Sequence, residues 1–270
     1  AAAHDAGVIA VDTETTSLNA VEAQLVGLSL AVAAAGRACY IPLAHRTPAA
    51  QGSLDLGDDL GGGGEGRPEQ IDLSDAMALL KPLLEDATVL KVGHNIKYDM
   101  QVLAQHGVSI TPVDDTMVLS CVLEGGLHGH GLDELAERHL GHATIKYKDV
   151  VGSGKARVTF DLVAIDKALD YAAEDADITG ILHRRLKPRL VTEHMATVYE
   201  TIERPLIPVL VEMERHGIKV DAAELKRLSD DFSTRLARLE EEIFLLAGRQ
   251  FNVGSPKQLG EVLFDEMGLV

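Results

Sequence analysis

The sequence predicts an α/β domain with a mixed central sheet flanked by helices, followed by an all-helical segment. Three observations carry this. Apolar, β-rich runs joined by short turns open the chain; helical patterns then alternate with a short buried run. Beyond about Val191, long helical runs follow one another with no strand between them.

Val8-Ile9-Ala10-Val11 has the composition of a strand buried on both faces, and it leads into Asp12-Thr13-Glu14. Gln24–Ala33 and Arg37–Leu43, joined by Ala34-Ala35-Gly36, complete an antiparallel meander of three strands. From Ala44 to about Gln70, with Gly61–Gly64 and scattered Asp, Pro and Ser, a flexible surface loop is expected. No lysine-bearing phosphate loop follows the glycines. Ser74 is suited to cap a helix running to about Asp86, with Pro82 as a local end or kink. Thr88–Val92 reads as a short buried strand. It passes through Gly93-His94 into a helix that stops near His106-Gly107. Asp115–Leu123 and Leu132–Leu140 read as short helices around a Gly/His-rich turn, and Leu162–Leu190 as a long helix with Ile165, Leu169, Ala172 and Ile178 on its apolar face. A division between residues 1–191 and 192–270 follows. The second part holds helical runs at Thr192–His216 and Ala222–Gly248, and a further one begins at Ser255–Phe264. It reads as cut off at Val270.

Hydrophobic residues make up 46% of the 270, without tryptophan, so an aliphatic core is available. No apolar run approaches the roughly 18–20 residues of a membrane span, and no signal peptide precedes the first strand. Cys39 and Cys121 lack framework spacing and read as buried thiols in a reducing cytoplasm. The net charge of −17 argues against simple nucleic-acid binding through a basic face, but leaves open an enzyme whose carboxylates hold metal ions facing phosphates. His94, His128, His130, His139 and His142 show no HxxxH spacing, and no CxxC pair accompanies them. They are expected to be loop and surface residues rather than zinc ligands.

Three places carry polar groups in apolar settings. Asp12 and Glu14, two apart on a strand, share a face, and like charges there call for a cation. Asn95 and Asp99 are four apart at the start of a helix, as are Tyr171 and Asp175 on a later one, so each pair shares a helix face. Taken singly, each has an ordinary explanation. Asp12 and Glu14 would end a strand in a solvated turn, Asn95 would cap a helix with Asp99 exposed, and Tyr171 would be half-buried core beside a solvated Asp175.

In this order, strand DxE, NxxxD after a strand and YxxxD on a late helix resemble the 3′–5′ exonucleases of the DnaQ-like superfamily, in the subgroup with tyrosine in the third motif. His94-Asn95-Ile96-Lys97-Tyr98-Asp99, Tyr171 to Asp177, Leu83-Leu84-Glu85-Asp86 and Asp133 to Arg138 look like the proofreading domain of the bacterial DNA polymerase I family. Glu203 to Leu210 and His216-Gly217-Ile218-Lys219-Val220-Asp221 look like the start of that family's polymerase thumb. The resemblance covers nearly the whole chain. It implies a ribonuclease H-like fold, and a two-metal exonuclease that hydrolyses the 3′-terminal phosphodiester of DNA and releases nucleoside 5′-monophosphates. Two divalent cations, Mg²⁺ or Mn²⁺, would be the cofactors, about 3.5–4 Å apart. The resemblance places one ion on Asp12, Glu14 and Asp175, has Asp12 bridge to the second, which Asp99 also helps to hold, through water, and gives Tyr171 the attacking water to orient. It also puts Thr13, Leu18, Asn95 and Tyr147 at the substrate, Leu18 as a wedge against the terminal base and Tyr147 as a stacking platform. Tyr147 is equally readable as an ordinary exposed loop tyrosine.

The implied partner is a single-stranded or frayed DNA 3′ end, met by a cytoplasmic monomer with no membrane contact. Some relatives in that family keep the fold while losing the acidic residues; here Asp12, Glu14, Asp99, Tyr171 and Asp175 are all in place, so an active enzyme is expected. No palm or fingers sequence and no 5′-nuclease segment is present, so no nucleotide incorporation is expected. The alternatives are an RNA-trimming exonuclease of the ribonuclease D type and a non-catalytic DNA-binding or spacer module.

Overall fold

The computed structural model describes residues 1–47 and 68–269. Most of the surface loop expected between Ala44 and Gln70 lies outside them. A short helix, α1 (Ala2–Ala6), leads into β1 (Val8–Thr15). Strands β2 (Leu25–Val32) and β3 (Arg37–Pro42) complete the antiparallel meander, with Asp12 opposite Ser29 and Glu14 opposite Gly27. On the other side of β1, β4 (Leu90–Gly93) and β5 (Val113–Asp115) add in parallel, giving a mixed sheet in the order β3-β2-β1-β4-β5.

The period-two alternation of β1 decides which layer each side chain meets. Ile9 and Val11 join the core shared with α2 (Leu73–Leu84) and α3 (Ile96–Ala104). Ala10 instead meets Ala31 of β2 and Ala176 of the long helix α7 (Ile165–Leu186). The buried face of α7 is mostly small: Ala168, Ala172, Ala176 and Gly180 recur every four residues. A methyl added at Gly180 would sit 2.9 Å from the Ala33 Cβ and 3.5 Å from the Ala10 Cβ, so the absence of a side chain lets the helix come close to β1 and the turn after β2. That close approach brings the middle of α7 against the end of β1.

Several local expectations need correction. Asp72, not Ser74, caps α2, its carboxylate accepting from the Ser74 N–H at 2.8 Å, and Pro82 lies inside the helix without ending it. Asp115 closes β5, a strand too short and too acidic to be read as one, and its carboxylate caps α4 (Thr116–Glu124). α5 (Leu132–Leu140) follows as expected, and Tyr147, one reading of which was a loop residue, opens a short α6 (Tyr147–Val151). Leu169 is exposed, because Ala168 takes the inward position. Cys39 and Cys121 are exposed: β3 is an edge strand, and Cys121 is on the solvent side of α4.

By packing, residues Ala1–His216 form one compact unit and Gly217–Val270 another. The first therefore includes α8 (Arg189–Thr192), α9 (Ala196–Val198), a π-helical turn (Tyr199–Glu203) and α10 (Arg204–His216). Tyr199 is fully buried and donates its hydroxyl to Asp114 at 3.2 Å, while Ile207 joins the core beneath α3. The second unit contains α11 (Ala222–Ala247), capped by Asp221 and stopped at Gly248, followed by α12 (Pro256–Gly260) and a π-helical turn (Glu261–Glu266). Among the described residues no helix is long and apolar enough to cross a membrane.

Candidate active site

Alternation on β1 sends Asp12 and Glu14 to the α7 side and Thr13 to the α3 side. On α7, Asp175 is one turn beyond Tyr171 and flanked by the buried alanines that hold the helix down. Ligand atoms of Asp12, Glu14 and Asp175 all lie within 4.8 Å of one another. From the α3 side, one oxygen of Asp99 accepts two hydrogen bonds from Thr13, at 2.9 Å from the backbone N–H and 2.6 Å from the hydroxyl. The structure thus brings together all four carboxylates and the tyrosine that the sequence singled out.

These carboxyls are costly as anions. Burial raises all four pKa values, and neighbouring carboxylates add to it, for Asp99 the nearby Asp115. Asp12 and Glu14 rise well above the usual carboxylate range, Asp12 pushed further by Asp99, and Glu14 by Asp12, Asp175 and Asp99. Asp99 rises to about 7 despite the Thr13 hydrogen bonds, and Asp175 to about 8, with Asp12 as its main charged neighbour. One oxygen of Glu14, Oε1, is buried with no hydrogen-bond partner among the described residues. A compact set of carboxylate oxygens that repel one another and leave one lone pair unmet fits a hard divalent cation. Asp12, Glu14 and Asp175 are the residues placed to hold it.

The Tyr171 hydroxyl is within hydrogen-bonding reach of Asp175, and burial together with Asp175 and Glu14 keeps it a phenol far above neutral pH. Behind it stands an aromatic wall that the sequence did not announce. Phe160, fully buried, tilts against Tyr171 at 6.0 Å between ring centroids and stacks on Tyr147 at 6.3 Å. Tyr40 is joined to His45 at 2.7 Å between the hydroxyl and Nε2, and His45 Nδ1 meets the Val163 carbonyl at 2.9 Å. Gly27 makes room for that tyrosine, since a Cβ there would overlap its ring. With five Tyr and five Phe in the chain, scarcity was the one available signal for these residues.

The expected substrate residues divide. Leu18 is 93% exposed and Asn95 is exposed, and together with Tyr98 they line one concavity. Tyr98 was missed. Its hydroxyl bonds the Thr15 side chain and the Ser17 carbonyl, fastening the loop that presents Leu18 to α3. Asn95 occupies the cap position of α3 at φ 62° but makes no side-chain cap; Asp115 does that work, accepting from the Asn95 and Ile96 N–H groups. The Asn95 side chain is thereby left for other contacts. Tyr147 is 38% exposed beside Tyr171, and Thr13 is 7% exposed with its hydroxyl committed to Asp99. Glu174 accepts from the Ile145 N–H and pairs with His142, each at 2.7 Å, which ties the segment before Tyr147 to α7.

Comparison with known proteins gives the same picture. A family model described as 3′-5′ exonuclease matches residues 1–191, and one described as DNA polymerase family A matches 222–270. DNA polymerase I of Rhizobium leguminosarum is 52% identical over 271 residues, covering 97% of this chain and 26% of that protein. DNA polymerase I of Pseudomonas aeruginosa is 44% identical over 269 residues, covering 98% and 28%. The chain therefore spans about a quarter of the length of these curated relatives. Among solved structures, the polymerase domain of Pol1 from M. smegmatis, in complex with DNA primer-template and dNTP, matches with a TM-score of 0.68 and 25% identity, covering 96% of this chain and 37% of that one. NrnC of Brucella melitensis shares the fold, with a TM-score of 0.57 and 22% identity, covering 80% of this chain and 88% of that one.

Proposed function

The chain belongs to the 3′-5′ exonuclease family found in family A DNA polymerases, and we propose that it removes nucleotides one at a time from the 3′ end of DNA, releasing nucleoside 5′-monophosphates, as the proofreading part of a DNA polymerase I in replication and repair. The observation that carries this is the cluster of Asp12, Glu14 and Asp175, buried, mutually repelling and holding one unpartnered carboxylate oxygen.

The chemistry a pair of Mg²⁺ or Mn²⁺ ions supplies when bound is an activated water and positive charge on the attacking and leaving oxygens. Asp12, Glu14 and Asp175 are the residues that would hold the cations. Asp99, fixed by Thr13, adds charge beside Asp12. Tyr171 keeps its proton and orients the water rather than deprotonating it, as a phenol pushed above its ordinary pKa of about 10 must. Leu18 packs against the terminal base, Asn95 contacts the strand near its end, and Tyr147 offers a ring for stacking, a contact of roughly 1–3 kcal/mol per base. On this reading residues 1–191 carry the exonuclease and 192–270 begin a polymerase thumb. The chain acts as a cytoplasmic monomer on frayed or single-stranded ends.

A 5′-labelled primer with a 3′ mismatch, single-stranded DNA and RNA, each incubated with Mg²⁺, Mn²⁺ or EDTA, tests the reading. Stepwise metal-dependent shortening of DNA from its 3′ end is expected. Shortening of RNA alone would transfer the activity to an RNA-trimming enzyme, and no shortening with either metal would leave a binding or spacer module.

A further inference from the structure

Away from the carboxylate cluster, three side chains converge that the sequence did not connect. Glu124 ends α4, His128 is in the glycine-rich turn that follows, and His139 is one residue from the end of α5. Their side chains are 13%, 4% and 11% exposed. The same carboxylate oxygen, Glu124 Oε2, lies 2.7 Å from His128 Nε2 and 3.1 Å from His139 Nε2.

The tautomers make this an unfinished arrangement. His128 Nδ1 is 2.5 Å from the Gly129 carbonyl oxygen, an acceptor only, so Nδ1 carries the hydrogen. In the neutral ring Nε2 is then a lone pair aimed at a carboxylate oxygen, which is repulsive unless a proton or a metal ion lies between them. His139 Nε2 is buried and, though close to Glu124, is not in line for a hydrogen bond with it or with any other described group. A backbone carbonyl on the far ring nitrogen and an inward-facing Nε2 is the disposition of a metal-ligating histidine. Arg189 holds the other Glu124 oxygen, Oε1, at 2.6 Å, which orients the carboxylate and leaves Oε2 facing the histidines.

We infer that Glu124, His128 and His139 form a second cation site, taking a divalent transition metal of the zinc class and tying the end of α4 to α5. Two imidazoles and one carboxylate are a zinc donor set, with water completing the tetrahedron. Bonds of about 2.0–2.1 Å put neighbouring ligand atoms roughly 3.3 Å apart. Oε2 and His128 Nε2 would therefore part by about half an ångström, a small side-chain rotation, to admit the ion. His130, whose ring is 5.0 Å from that of His128 and whose Nδ1 pairs with Ser120 Oγ at 2.8 Å, is not among the three whose ligand atoms converge. The positive charge of Arg189 and Arg138 opposes the ion, and Glu134, whose oxygen is 4.0 Å from His128 Nδ1, offsets part of it. No ligand is shared with the exonuclease cluster, so the two sites can be loaded and tested separately.

The test uses the 270-residue chain carrying Asp12→Ala and Asp175→Ala, stripped with EDTA and dialysed, so that the exonuclease cluster does not contribute. Zn²⁺ binding is followed by calorimetry and thermal melting, and Co²⁺ by its visible absorption. One equivalent of Zn²⁺ is expected, with a rise in Tm of several degrees and a Co²⁺ spectrum of imidazole ligation. His139→Gln should weaken binding more than tenfold without moving the metal-free Tm by more than a degree or two. Should that protein not fold, Glu124→Gln gives the same comparison. Zn²⁺ binding of equal strength in the parent and the ligand variants would overturn the inference. So would a parent chain that binds no Zn²⁺.

Discussion

Thr13 gives both its backbone N–H and its hydroxyl to a single oxygen of Asp99, at 2.9 and 2.6 Å. The residue between Asp12 and Glu14 thus reaches through to the opposite layer and restrains the fourth carboxylate. Hydrogen bonds to an ionised group contribute about 1.5–3 kcal/mol, and about 1.4 kcal/mol is one pKa unit. Thr13→Val keeps the shape and the backbone bond but loses the hydroxyl. The Asp99 pKa, about 7 in the native chain, should climb by roughly one to two units. NMR titration in EDTA reads that shift directly, and the exonuclease rate with Mg²⁺ at pH 7 should fall and partly recover as pH rises. A rate profile that matches the native one would show that Thr13 does not set the charge of Asp99.

The raised carboxyls also make stability depend on pH. Asp99 and Asp175 titrate near 7 and 8 in the folded chain against about 4 unfolded, so between those values the folded state holds more protons. Their stabilising share is complete below the unfolded value and is lost as pH rises through the folded one. In EDTA, the melting temperature should therefore rise on going from pH 8 to 6.5. Asp114 and Glu124, lowered to about 2, act in the opposite sense but only in acid. His94, lowered to about 4, and Lys91, lowered to about 8, act below and above that window respectively. Thermal scans with EDTA and with excess Mg²⁺ check this, since the metal should flatten the slope by supporting the anionic site at high pH.

A residue retained for function against stability leaves a signature when it is neutralised. Glu14→Gln removes one of the crowded charges and turns an unpartnered buried oxygen into part of a neutral amide. At pH 8 in EDTA the variant should melt at least as high as the native chain, while exonuclease activity falls by at least about a hundredfold. A variant that is both less stable and fully active would remove Glu14 from the site.

Tyr171→Phe isolates the hydroxyl, because the ring contacts with Phe160 and Tyr147 remain. A positioning role predicts a kcat lowered by roughly ten- to a hundredfold with KM for single-stranded DNA little changed and the acid limb of the pH profile unmoved. Loss of an alkaline limb would assign the hydroxyl to proton transfer instead.

What the sequence made legible was local. The i, i+2 pair on β1 and the i, i+4 pairs on α3 and α7 could each be read from one element, and the order of the three motifs joined them. The meander and α5 were equally local, written in alternation and in 3.6-residue periodicity. Contacts between elements were not. Asp115 serves two helix starts from a three-residue strand, and Asp72 rather than Ser74 caps α2 because backbone direction decides between neighbouring acceptors. Phe160, in a short 3-10 turn, and Tyr40, on β3, reach the site through packing between elements that no local spacing encodes. The histidines expected on the surface include His128 and His139, whose side chains are largely buried against Glu124 where the turn after α4 meets α5, and which carry no sequence spacing of a metal site.

Asp12 is the hinge of the account, close enough to Glu14 and Asp175 to share one cation and near enough to Asp99 to be raised by it. The most direct measurement is single-turnover release of nucleoside 5′-monophosphate from single-stranded DNA with Mg²⁺, comparing the native chain with Asp12→Ala. The account predicts rapid release by the native chain and none above background by the variant, which should still fold and still bind the strand. Release by Asp12→Ala within tenfold of the native rate would contradict it.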